Sequence, residues 1–122
     1  MTDVLTAKSR EVLGEVKRRF GIGFSETYTG GGCCALEARL ESGHWIVATD
    51  EGLCSFRERL TFEADADADG GRRALGWAIG IYEHEEWMDG DEAVLFVTDF
   101  DAFADALPDL VGRALAELAE SR

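Results

Sequence analysis

One stretch limits the fold of this chain more than any other: residues 28–50, YTGGGCCALEARLESGHWIVATD, which spell out a β-hairpin behind a run of glycines. Cys34, Leu36, Ala38 and Leu40 alternate with Ala35, Glu37, Arg39 and Glu41, the period of two that a strand with one buried face requires. Ser42-Gly43 then supplies a tight turn. A two-residue loop there sets Glu41 opposite His44, Leu40 opposite Trp45, Ala38 opposite Val47 and Leu36 opposite Thr49. That register predicts Leu40, Trp45 and Val47 beneath the helices. Glu37, Arg39, Glu41 and His44 fall on the wet face, together with Ile46 and Ala48. A hairpin is not stable alone, so the remaining elements must complete a sheet and cover it.

Leu5, Val12, Leu13, Val16 and Phe20 recur at helical spacing through Thr2 to Phe20, with charged residues on the other faces. Lys17, Arg18 and Arg19 sit in the last turn and Gly21 follows, a basic end with a glycine cap. Gly23 to Thr29 is a short strand candidate. Leu53 to Phe62 is another, with Cys54, Phe56, Leu60 and Phe62 in even positions. Leu75, Trp77, Ile79 and Ile81 alternate with Gly76, Ala78, Gly80 and Tyr82, which predicts a central strand whose small-residue face lies under something closely packed. Residues 93–98, AVLFVT, form a continuous apolar run suited to a strand buried on both faces, paired with its predecessor as a second hairpin. Thr98, Asp99 and Asp101 offer N-caps for a final helical region striped by Phe100, Phe103, Leu107, Val111, Ala114 and Leu118, with Pro108 restarting it. The expected fold is a single α+β domain over residues 1–122. A mostly antiparallel sheet of four to five strands carries an N-terminal and a C-terminal helix on one face.

Twenty-five acidic against twelve basic residues give a net charge of −13, and the imbalance is uneven. Residues 1–20 hold five basic and three acidic side chains, and the remainder hold seven and twenty-two. Such a surface repels phosphate backbones and anionic lipid, which argues against direct nucleic-acid or membrane binding. No apolar run reaches the roughly 18 residues of a membrane span, and the first residues lack a signal peptide's apolar core. A cytoplasmic protein is expected. Three cysteines, two of them adjacent, do not make a secreted disulfide framework and read as reduced.

Several segments invite chemistry. Gly30-Gly31-Gly32 has the composition of a phosphate cradle, yet a strand follows it where such cradles lead into a helix, so a tight connection or bulge is the simpler account. Cys33 beside those glycines is a candidate exposed thiol with His44 or His84 as base, whereas Cys34 is expected to face the core. Asp65, Asp67, Asp69 and Gly70 match the first half of a calcium loop. Arg73 and Gly76 then stand where its later ligands belong, so a solvated acidic loop over residues 63–71 competes with a weak cation site. No cysteine or histidine spacing matches a zinc site, and no cofactor is expected.

The densest feature is EHEEWMDGDE, residues 83–92. Glu83, Glu85, Glu86, Asp89, Asp91 and Glu92 surround Trp87 and Met88 at a predicted hairpin tip. Acids in such a run are ordinarily a solvated surface, and Trp87 has the option of folding back on the sheet. Large apolar groups ringed by charge also have the anchor-and-rim pattern of a partner-binding patch.

The strings TGGGCCALEA, WIVATD and GWAIGIYEHEEW resemble small acidic orphan proteins encoded by phages of high-GC actinobacteria. Arginine outnumbers lysine ten to two, as in such genomes. The resemblance implies expression in an infected bacterial cytoplasm and a protein that modulates a host factor. It attaches no activity to any position.

The leading expectation is therefore a non-enzymatic acidic protein that docks the 83–92 surface on a basic host protein, such as one that holds DNA. The alternatives are a self-associating structural or assembly protein, a cysteine enzyme or metal protein using Cys33 or the Asp65, Asp67 and Asp69 loop, and an acidic surface adapted to high salt.

Overall fold

The computed structural model describes residues 2–30, 33–49, 76–84 and 92–121, with side chains described outside 2–9 and 28–34. Helix α1 (Thr2–Phe20) leads into strands β1 (Ser25–Gly30), β2 (Cys33–Arg39), β3 (Trp45–Thr49), β4 (Trp77–Tyr82) and β5 (Leu95–Asp99). A short 3₁₀ turn (Ala104–Ala106) then runs directly into helix α2 (Leu107–Glu120). The five strands form one antiparallel sheet in sequence order, β1-β2-β3-β4-β5. The expected α+β fold is the one found. The Leu53–Phe62 strand candidate, the 63–71 acidic loop with Asp65, Asp67 and Asp69, and Gly31 and Gly32 lie outside the described residues.

Both predicted helices form where their apolar stripes run. In α1, Val12 and Val16 are buried and Leu13 and Phe20 pack against the core. Gly21 takes φ +70 and returns its N–H to the Lys17 carbonyl at 2.8 Å, the left-handed cap that a residue without Cβ adopts most cheaply. Pro108 stands in the first turn of α2, where its missing N–H costs nothing. Leu107, Val111, Ala114 and Leu118 are buried, as their spacing requires. The predicted caps are not used. Neither the 3₁₀ turn nor α2 has a side-chain cap, and Asp99 instead accepts the Asp101 N–H at 3.0 Å, which closes the turn after β5.

The hairpin forms, but its register differs by one residue from the expected one. Leu36 pairs with Ala48, Glu37 with Val47, Ala38 with Ile46 and Arg39 with Trp45. The turn is a three-residue loop, Glu41-Ser42-Gly43: Leu40 donates to the His44 carbonyl at 2.8 Å, Gly43 donates to Leu40 at 2.9 Å, and Gly43 has φ +93. A two-residue loop would have forced positive φ on Ser42, which a side chain penalises, while the longer loop gives the left-handed position to glycine. A one-residue slip moves every side chain of the slipped strand, here β3, to the other face. Thus Leu36, Ala38, Ile46 and Ala48 join Trp77, Ile79, Ile81 and Val97 in the core with the helices, with Leu40 packed against it. Val47 and Trp45 turn to the opposite face instead of lying beneath the helices.

Strand β4 is interior, flanked by β3 and β5. Its large residues face the helices. Its small face is tightly used: a Cβ on Gly80 would stand 2.8 Å from the Tyr82 ring and 3.0 Å from the Phe96 ring. Trp77 is buried and its Nε1 donates to the Phe103 carbonyl at 3.1 Å, tying β4 to the segment that enters α2. Gly76, at φ +76, lies against the Phe100 backbone and donates to the Ala102 carbonyl at 3.1 Å.

Candidate functional site

The large hydrophobic side chains exposed among the described residues gather on β5 and beside it. Residues 93–98 were expected to be buried on both faces, and they are not. Val97 is buried and Leu95 half-buried on the helix side, while Phe96 and Thr98 are exposed. The reason is position, because β5 is the last strand in the order of the sheet and, among the described residues, the helices pack on the face opposite Phe96. Phe96 is 59% exposed and Val94, just before the strand, 44%. Phe100, placed by its spacing on the C-terminal helical stripe, instead occupies the turn after β5 and is 64% exposed. These are the large hydrophobic side chains that stand exposed among the described residues.

They continue an aromatic row across the second face of the sheet. Trp45 pairs directly with Tyr82 across β3 and β4. Tyr82 meets Phe96 edge to face, with centroids 6.3 Å apart and planes at 86°. Gly80, directly opposite Phe96, makes room for both rings. Burial pushes the Tyr82 phenol above its ordinary pKa, a sign that its ring lies partly against the sheet. Phe96 is the exposed end of the row.

The sequence on either side of β5 is acidic. Residues 74–112 contain ten acidic side chains and no lysine or arginine. Of these, Glu83, Glu92, Asp99, Asp101, Asp105 and Asp109 are described, and all are exposed. Glu83 and Glu92, at the two ends of the 83–92 stretch, lie on the surface. Glu85, Glu86, Trp87, Met88, Asp89 and Asp91 lie outside the described residues. Sequence reasoning missed Phe96 and Phe100, since a continuous apolar run carries no signal of which strand is the edge.

The other candidates gather less. Gly30 ends β1, and the β1–β2 pairing shifts register between Tyr28 and Gly30, as a bulge would. Cys33 begins β2, and its side chain is among those left undescribed. Ser42 Oγ lies 2.8 Å from His44 Nδ1, the atoms of a nucleophile and base. The pair is a local contact in an exposed turn, and no carboxylate among the described residues is hydrogen-bonded to that ring. A cavity of about 310 Å³ opens between the C-terminal ends of both helices and the β2–β3 turn, lined by Phe20, Ile22, Arg39, Leu40, Leu115 and Leu118. Among the described residues no group of three or more His, Cys, Asp or Glu is placed to hold a metal, and no helix is long and apolar enough to cross a membrane.

No family model, curated protein or solved structure matches the chain.

Proposed function

We propose that this chain is a non-enzymatic acidic binding protein that docks on a basic partner protein, in keeping with the phage-like, host-directed context that its sequence resembles. The observation that carries the proposal is the coincidence of exposed Val94, Phe96 and Phe100, on β5 and the residues that flank it, with a sequence stretch that holds acids and no lysine or arginine. Apolar anchors desolvated at the centre of a contact supply affinity, and the charged rim supplies selectivity and speed of encounter. Aromatic rings also attract cations over their faces, so Tyr82 and Phe96 favour the same basic partner as the carboxylates. The proposed docking surface adds Val94, Phe96 and Phe100 to the 83–92 surface expected from the sequence.

Capture from an actinobacterial lysate tests this. The wild-type chain is expected to retain a basic protein at about 0.1 M salt and release it as screening shortens the reach of the acids to a few ångströms at about 1 M. Phe96→Ser and Phe100→Ser are each expected to lose that protein. Retention that ignores both substitutions, or a captured partner without basic character, overturns the proposal.

Self-association is the second reading, because an open edge strand is able to pair with its own copy. In a two-fold pairing centred on Val97, Val94 falls opposite Phe100 and Phe96 opposite Thr98. The same acids that attract a basic partner oppose this arrangement.

A further inference from the structure

The two edges of the sheet are built differently. Strand β1, at one edge, carries Glu26, and its pairing with β2 is broken by a register shift beside Gly30. A charge and a bulge on an edge strand are the ordinary devices that stop another strand from adding to it. Strand β5, at the other edge, carries one charge, Asp99 at its last position, and from Val94 to Thr98 it has no charge, no proline and no glycine. Its register with β4 is unbroken from Trp77↔Asp99 to Ile81↔Leu95. An uncharged run of strong β-formers at an edge that no other strand among the described residues covers is the kind of segment that recruits a further strand.

Resting on the reading of the chain as a binder of a basic protein, we propose that the partner contributes an extended segment that adds to the outer edge of β5 as a sixth strand, with basic and apolar side chains in alternation. Backbone groups on alternate residues of an edge strand point away from its neighbour and are free to form a new ladder. The alternation follows from the faces of β5. Phe96 lies on the face away from the helices, where an incoming apolar side chain completes the aromatic row. Asp99, with Leu95 and Val97, alternates to the helix side, and its carboxylate there, with exposed Glu92 and Asp101 beside the strand ends, favours basic side chains. Charge also decides against a second copy of this chain as the occupant. Two such ends would bring their acidic stretches together without a lysine or arginine from residues 74–112 of either.

The test uses the full chain and a blocked peptide of about seven residues, long enough to span β5 at roughly 3.4 Å per residue, with lysine alternating with valine or isoleucine. Two versions carry backbone N-methyl groups, one on the odd and one on the even positions. The unmethylated peptide is expected to bind, to slow exchange of alternate amides within residues 95–99, and to weaken about tenfold or more on methylation of the positions that face β5. Phe96→Lys, a change at an exposed position, is expected to weaken it similarly while the chain stays folded. Equal binding by all three peptides overturns strand addition yet leaves the basic-partner reading standing. A basic partner captured without any dependence on Phe96 or Phe100 overturns that reading as well. Sedimentation that finds a dimer abolished by Phe96→Lys assigns the edge to a second copy and overturns the proposed occupant.

Discussion

The Trp77 indole donates to the Phe103 carbonyl at 3.1 Å, and this bond links the interior of the sheet to the chain that turns from β5 into α2. Trp77 is buried in the core, so two effects separate cleanly by substitution. Trp77→Phe keeps most of the volume and loses the donor, with an expected loss of about 1–2 kcal/mol. Trp77→Ala leaves a cavity as well, with an expected loss of about 3–5 kcal/mol. Chemical denaturation with an unchanged slope checks both.

Glycine substitutions discriminate conformation from space. Gly43 has φ +93 with nothing near its missing Cβ, so Gly43→Ala meets only the backbone penalty, roughly 1–2 kcal/mol. Gly76 has φ +76, and its Cβ would stand 2.8 Å from the Phe100 Cα, backbone that no side-chain rotation relieves. Gly76→Ala is expected to cost more, roughly 2–4 kcal/mol, and to disturb the position of Phe100. Equal melting losses for the two variants would contradict the close approach.

Phe96 is expected to matter for binding and little for folding. It is 59% exposed, and its edge-to-face contact with Tyr82 contributes about 0.5–1.5 kcal/mol, so Phe96→Ser should lower stability by no more than about that amount. Ile79→Ala, in the same sheet but fully buried, should cost about 2–5 kcal/mol. Paired denaturation and capture measurements on the two variants would separate anchor from core.

Tyr82 gives the alkaline limb of stability a predictable sign. Burial raises its folded pKa above the unfolded value, so its neutral form is favoured by folding. The contribution is fully present below the unfolded value of about 10 and is lost as pH climbs through the higher folded value. Tyrosinate absorbance should therefore develop late for Tyr82, and Tyr82→Phe should flatten the fall of stability above about pH 10. An unchanged alkaline limb in that variant would refute the assignment.

Surface ion pairs should contribute little by comparison. Arg19 reaches Asp109 at 3.0 Å across the two helices, with Asp109 largely exposed, and the Arg19 guanidinium also lies 5.1 Å from the Phe20 ring centroid. Asp109→Asn is expected to change stability by less than about 1 kcal/mol, and less again at high salt. A melting series at low and high salt checks this.

What the sequence by itself determined were the elements with a regular period and a local stop signal. Val12, Val16 and Phe20 with Gly21 define α1, Leu107 to Leu118 with Pro108 define α2, and the alternation of Trp77, Ile79 and Ile81 defines β4, because each pattern follows from backbone geometry within a few residues. The structure decided two things that the periodicity of the strands does not contain. The first is the hairpin register, where the need of Gly43 for the left-handed position lengthened the loop by one residue and exchanged Ile46 and Ala48 for Trp45 and Val47 beneath the helices. The second is which strand ends the sheet. Residues 93–98 read alike whether covered on two faces or on one, and only the order of the strands, with both described helices packed on one side, leaves Phe96 exposed on the last strand of the sheet.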